Sequence, residues 1–145
     1  NRIFPKTQIL EMKIPMNYDK MLNAYSNSEK KAVIEAEDSH AMVLLLFDEL
    51  IKTARIFSQN IKAKNGNQEV KSENMSKALT IIYALQSSLD FERGGEIAEN
   101  LYRLYEYTRE QILIDNKSNE AAGVLVAISS LEDIREAWVE IRSIL

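Results

Sequence analysis

A chain of 145 residues fits one domain with one hydrophobic core, and a second core would be hard to fill at that length. Its 22 acidic and 18 basic residues leave a formal charge of −4 with no cluster of Lys and Arg, which argues against a nucleic-acid surface. Scarce glycine and proline argue against disorder, and the lack of cysteine excludes disulfides and thiolate metal sites, in keeping with a reducing cytosol.

Pro5 and Pro15 both fall in the first fifteen residues, and each disfavours helix in the residue before it. Residues 1–15 therefore read as an extended arm, native or added, that carries an apolar strip of Ile9, Leu10, Met12 and Ile14. A single helical domain follows from 16 to 145, opening with a small helix or cap between Tyr18 and Ala36. The first long helix starts at Asp38 or Ser39, both good N-caps, and runs to about Ala63. Met42, Leu46, Leu50, Thr53, Phe57 and Ile61 form its inner stripe, with Leu45 and Ile56 widening it. Asn65, Gly66 and Asn67 make a turn that suits positive φ.

The second helix is expected from Glu69 to Phe91, with Ala78, Ile82, Leu85 and Leu89 on its buried stripe. Gly94 and Gly95 can take the positive φ that ends a helix, and Glu96 suits the positive end of the next. A third helix is expected from Gly95 to Ile114 along Ile97, Leu101, Leu104 and Thr108. The fourth runs from Asn119 to Ile144 along Val124, Ile128, Leu131, Ile134, Trp138, Ile141 and Leu145. Short connections between helices of similar length force antiparallel neighbours, so the expected fold is all-α, an up-down-up-down four-helix bundle. The longest apolar runs, Ala41 to Phe47 and Ala121 to Ile128, fall well short of the roughly 20 residues of a membrane span, and no secretory signal opens the chain.

Catalytic patterns are weak. His40 is the only histidine, and Glu37 with His40 supplies the Glu-x-x-His spacing of a carboxylate-bridged metal bundle once where two are needed. No nucleophile elbow accompanies the scattered serines. Gly94 and Gly95 lack the lysine and hydroxyl that complete a P-loop, and no strand leads into them. A histidine phosphotransfer domain is also a four-helix bundle, with its reactive imidazole exposed in mid-helix beside a basic residue. His40 instead follows Glu37 and Asp38 and precedes an apolar run, which makes it a surface residue of a helix's first turn. The residues call for no enzyme activity, metal or cofactor.

Binding features are stronger. Tyr102 and Tyr105, three apart, are expected to share a face, with Tyr107 close by on the same helix and Tyr83 and Trp138 as further aromatics with polar tips. Phe47 and Ile51, four apart on the first helix, lie off its main stripe, so the apolar arc there is broader than one seam needs. Such a helix either buries its second side or offers it to a partner, and two partly covered helices form a groove for an amphipathic peptide.

In Ser88 to Tyr107, reading SLDFERGGEIAENLYRLYEY, and in Arg135 to Trp138, reading REAW, the sequence resembles the FliS family of flagellin export chaperones. The resemblance runs from Asn23 to Trp138. It implies a cytoplasmic antiparallel bundle that binds the C-terminal segment of flagellin, prevents early polymerisation and delivers it to a component of the flagellar export gate. It also places the family's N-terminal Ala-Tyr on Ala24 and Tyr25, beside the client groove, and Gly94-Gly95-Glu96 between the second and third helices. With Phe47, Ile51, Tyr102 and Tyr105, these two residues complete the candidate flagellin-binding set. The chain departs from many relatives in having Asp38-Ser39 for Ser-Pro and Asp48-Glu49 for Asp-Gly. Replacing an interior glycine strengthens the helix by roughly 1 kcal/mol and puts client contacts around Glu49 in question. The rival readings are a phosphotransfer domain and a purely structural bundle that oligomerises, for instance as a homodimer.

The arm yields a direct expectation. If residues 1–15 lie in the client groove, a protein starting at Met16 binds a flagellin tail more tightly than the full chain, because a tethered competitor lowers apparent affinity. Equal dissociation constants for the two proteins make the arm a passenger, and weaker binding after deletion makes it part of the site.

Overall fold

Each periodic segment carries an apolar stripe that it cannot bury alone, and the four stripes close on one another. A computed structural model describes residues 39–61 and 66–144, with side chains from 41 to 61 and from 66 to 140. Four helices follow in order, α1 (Ser39–Gln59), α2 (Gln68–Ser87), α3 (Phe91–Ser118) and α4 (Ala122–Ile144), with no strand among the described residues. α1 packs against α2 and α4, and α3 packs against the same two. That neighbour pattern with short connections is the expected up-down-up-down bundle. The arm at 1–15, the cap expected between Tyr18 and Ala36, and the domain start at residue 16 all lie outside the described residues.

Most of the stripe residues are buried as their spacing requires, but Leu45 is exposed, Ile56 and Ile97 are half-buried, and the side chains of Ile141 and Leu145 lie outside the described ones. Leu46, Leu50 and Phe57 of α1 meet Ala78, Ile82 and Leu85 of α2, Leu101, Leu104 and Ile112 of α3, and Val124, Ile128, Leu131 and Trp138 of α4 in one core. Thr108 and Thr53, also inward, avoid a stranded hydroxyl by donating to the carbonyls of Leu104 and Glu49, each at 2.9 Å. On the outside, Arg135 pairs with Asp48 and Arg55 with Glu132 across α1 and α4. These pairs are half-exposed, so they set register more than stability.

Helix ends differ from the spacing-based expectation where a short polar side chain competes for the backbone. α1 stops at Gln59 and not near Ala63. Asn60 turns its amide onto the Ile56 carbonyl at 2.8 Å, and its side-chain oxygen accepts from the Asn67 amide at 3.0 Å. α2 stops at Ser87 and not at Phe91, since the Ser88 hydroxyl takes the Leu85 carbonyl at 2.7 Å. Asp90 then caps a new helix by accepting from the amides of Glu92 and Arg93.

The α2–α3 connection is therefore Ser88 to Asp90, and Gly94-Gly95 does not join those two helices. Gly95 is instead a break inside α3, at φ 50 and ψ −126, which sets the turn from Phe91 apart from the long body of the helix. At the far end α3 continues past Ile114 to Ser118. Asn119 then takes the left-handed conformation at φ 57 and ψ 36, ending α3 instead of starting α4.

Two substitutions probe this frame. Trp138, only 2% exposed, leaves a large void when truncated, so Trp138→Ala is expected to lower the unfolding free energy by about 3–5 kcal/mol in urea titration. A Cβ at Gly95 meets nothing within 4 Å, so Gly95→Ala tests the backbone alone. It should cost about 1–3 kcal/mol, as a side chain forced into a glycine conformation does.

Candidate functional site

Phe47 and Tyr105 lie at the centre of the bundle, both fully buried, with ring centroids 6.5 Å apart and planes at 41°. They come from α1 and α3, which stand diagonally opposite, so the broad apolar arc of α1 is used to reach across the core. Ile51, one turn on, is half-buried and packs against the same core. Ala24 and Tyr25 lie outside the described residues.

Tyr102 and Tyr105 do not share an environment. A spacing of three falls about 60° short of a full turn. The inward line through Leu101, Leu104, Thr108 and Ile112 passes beside Tyr105 and leaves Tyr102 at the edge, 41% exposed. The Tyr105 hydroxyl is buried without a hydrogen-bond partner among the described residues, an uncommon state for a polar atom in a folded core. Burial pushes its ionisation well above that of an ordinary tyrosine.

Tyr102 has a different companion. Its ring meets Phe91 at 6.1 Å between centroids and 58° between planes, and Phe91 is itself 49% exposed. Eleven residues of unbroken helix would set them roughly 16 Å apart along the axis. Their contact therefore depends on the break at Gly95.

The same flank of α3 faces α2. Gln86 donates to Glu106 at 3.0 Å across the two helices, and Arg109 donates to the same carboxylate. Arg109 first and Gln86 second hold the Glu106 carboxyl below the usual carboxylate range. In an antiparallel pair that bond sets the register, bringing Tyr83 level with Arg109 and Leu79 level with Leu113.

The outcome is an apolar strip of Tyr83, Phe91, Tyr102 and Leu113, all exposed, interrupted by the polar clasp of Gln86, Glu106 and Arg109. α2 and α3 are also the least extensively packed of the four neighbouring pairs. Exposed aromatics along a shallow seam between helices can receive the apolar face of a peptide. Sequence spacing assigned Phe91 to the end of α2, named Tyr83 only as a further aromatic with a polar tip, and gave Leu113 no role. The usable signal was that all three fall off the inner stripes.

Other chemistry does not gather in the described part. His40 lies in the first turn of α1, with its side chain outside the described ones. Among the described residues no group of three or more His, Asp or Glu is placed to hold a metal ion, and no helix is long and apolar enough to cross a membrane.

Residues 21–144 match the family model of flagellar protein FliS. The chain belongs to the FliS family. It is 33% identical to the flagellar secretion chaperone FliS of Vibrio cholerae over 120 residues, covering 83% of this chain and 87% of that protein. The FliS of Salmonella typhimurium is also 33% identical, over 83% of this chain and 88% of its own length. The FliS of Bacillus subtilis is 27% identical over 80% and 84% respectively. The block of residues 88–107 that suggested FliS thus comprises the turn at Ser88, the cap at Asp90, the Gly95 break and the Tyr102–Tyr105 stretch.

The buried phenol gives a pH signature. Because Tyr105 ionises later in the folded than in the unfolded chain, its contribution to stability is intact below the unfolded value near ~10 and is lost progressively above it. Tyr105→Phe is expected to fold at least as stably at neutral pH, since it removes an unpartnered hydroxyl. It should also flatten the decline in stability above pH ~10, as followed by denaturant melts across that range.

Proposed function

We propose that this chain, a flagellar export chaperone by family, binds the C-terminal segment of flagellin in the cytosol, keeps it from polymerising early and presents it to the flagellar export gate. Membership of the FliS family carries the reading, and the apolar α2–α3 seam supports it by offering a surface of the right character. The action is binding without catalysis. A tail that is disordered when free orders as it lays apolar residues on the seam, and burial of a long interface offsets the ordering entropy.

Within this proposal Tyr102, packed on Phe91, is the aromatic anchor. The Gln86–Glu106–Arg109 clasp supplies polar edges that fix the client's register. Phe47, Ile51 and Tyr105 hold the platform from beneath, while Ala24 and Tyr25 enter on the family resemblance alone.

Phe91→Ala and Tyr102→Ala test the assignment. Each is expected to weaken binding of a flagellin C-terminal peptide about tenfold, as truncation of an aromatic anchor does, with helix content unchanged by circular dichroism. Wild-type affinity in both variants would move the client off this seam.

A further inference from the structure

Lys71 is the one described basic residue that is buried and has no partner among the described residues. It is 5% exposed and sits on the inward stripe of α2 with Asn74 and Ala78. Arg55, Lys77, Arg109 and Arg135 all stand in ion pairs, and Lys52, Arg93 and Lys117 are exposed. Burying a lysine without a counter-charge is unfavourable, so one held at 5% exposure with no carboxylate paired to it among the described residues is suited to receive an anion.

Its setting strengthens the case. Lys71 donates its backbone amide to the Asn67 carbonyl at 2.9 Å, the first intrahelical bond of α2, and the Asn67 side chain accepts from Val70. The amides of Gln68 and Glu69 then have no intrahelical acceptor, and the positive end of the helix dipole lies there. Helical side chains lean toward the N-terminus, which carries the Lys71 stem back toward those amides.

The carboxylates nearby do not fill the role. Glu69 and Glu73, two residues either side, project from the opposite face, and Glu73 is paired with Lys77. Asp115 is buried at the same end of the bundle, but its carboxylate accepts from the Val124 amide at 2.8 Å and makes no ion pair with Lys71.

We propose that Lys71 and the free amides at the start of α2 bind a carboxylate of the client, from either its chain terminus or an acidic side chain. This rests on the proposed binding of the flagellin C-terminal segment. Calorimetry with one synthetic segment in three forms tests it: the free acid, the C-terminal amide, and a form with its acidic side chains replaced by amides. Each is titrated into wild type, Lys71→Met and Lys71→Arg.

One neutralised form should bind wild type about tenfold more weakly than the free acid, a charge-assisted contact's worth. Which form loses affinity identifies the terminus or the side chain as the source. Lys71→Met should bind all three alike, and Lys71→Arg should restore part of the discrimination. Equal affinity of wild type for all three forms, or undiminished discrimination by Lys71→Met, would overturn the carboxylate site while leaving the client reading intact. Failure of the free acid to bind wild type at all would overturn both.

Discussion

The contact between Phe47 and Tyr105 across the diagonal of the bundle is the constraint from which the rest of the architecture follows. Adjacent helices can pack in pairs without closing a bundle, but a ring pair from α1 and α3 brings opposite helices to a common centre. Around these two rings α2 and α4 complete the core with a mixture of sizes, from Ala78, Ala84, Ala127 and Ala137 to Ile82, Leu85, Leu131 and the large Trp138. Close packing leaves little freedom to substitute there, because a void or an excess methylene on either ring is felt by all four helices.

A rigid centre also makes the surface legible as a functional element. α3 does two jobs that an unbroken helix could not combine. Its body presents Leu101, Leu104, Tyr105 and Ile112 inward, while its first turn, set apart at Gly95, brings Phe91 onto the exposed Tyr102. The glycine is required by the backbone and not by crowding, since a side chain there would meet open space. Glu106, tied to both Gln86 and Arg109, holds the seam together while leaving the aromatics on either side uncovered.

The bundle was legible in the sequence because its cause is periodic. Stripes at helical spacing predicted which residues of each helix would be buried, and Trp138, Leu85 and Leu104 are buried accordingly. Helix ends were read less well, since Asn60, Ser88 and Asn119 set them through local side-chain bonds and a left-handed turn that periodicity cannot register. The candidate site was the least legible, because spacing reveals that a helix has a second apolar side but not whether a diagonal partner will cover it, as happens to Phe47 and Tyr105. Phe91 was hidden by its assignment to α2, and Lys71 gave no signal, since a lysine on an inward stripe reads as an interruption.

The account rests on one claim, that a rigid bundle of this family offers its own surface to an otherwise disordered client. Calorimetric titration of the full chain with a flagellin C-terminal peptide, repeated at several temperatures, addresses it most directly. Saturable binding with a negative heat-capacity change is the predicted result, the mark of apolar surface buried as the peptide orders. Absence of saturable binding, or binding with a heat-capacity change near zero, would contradict it.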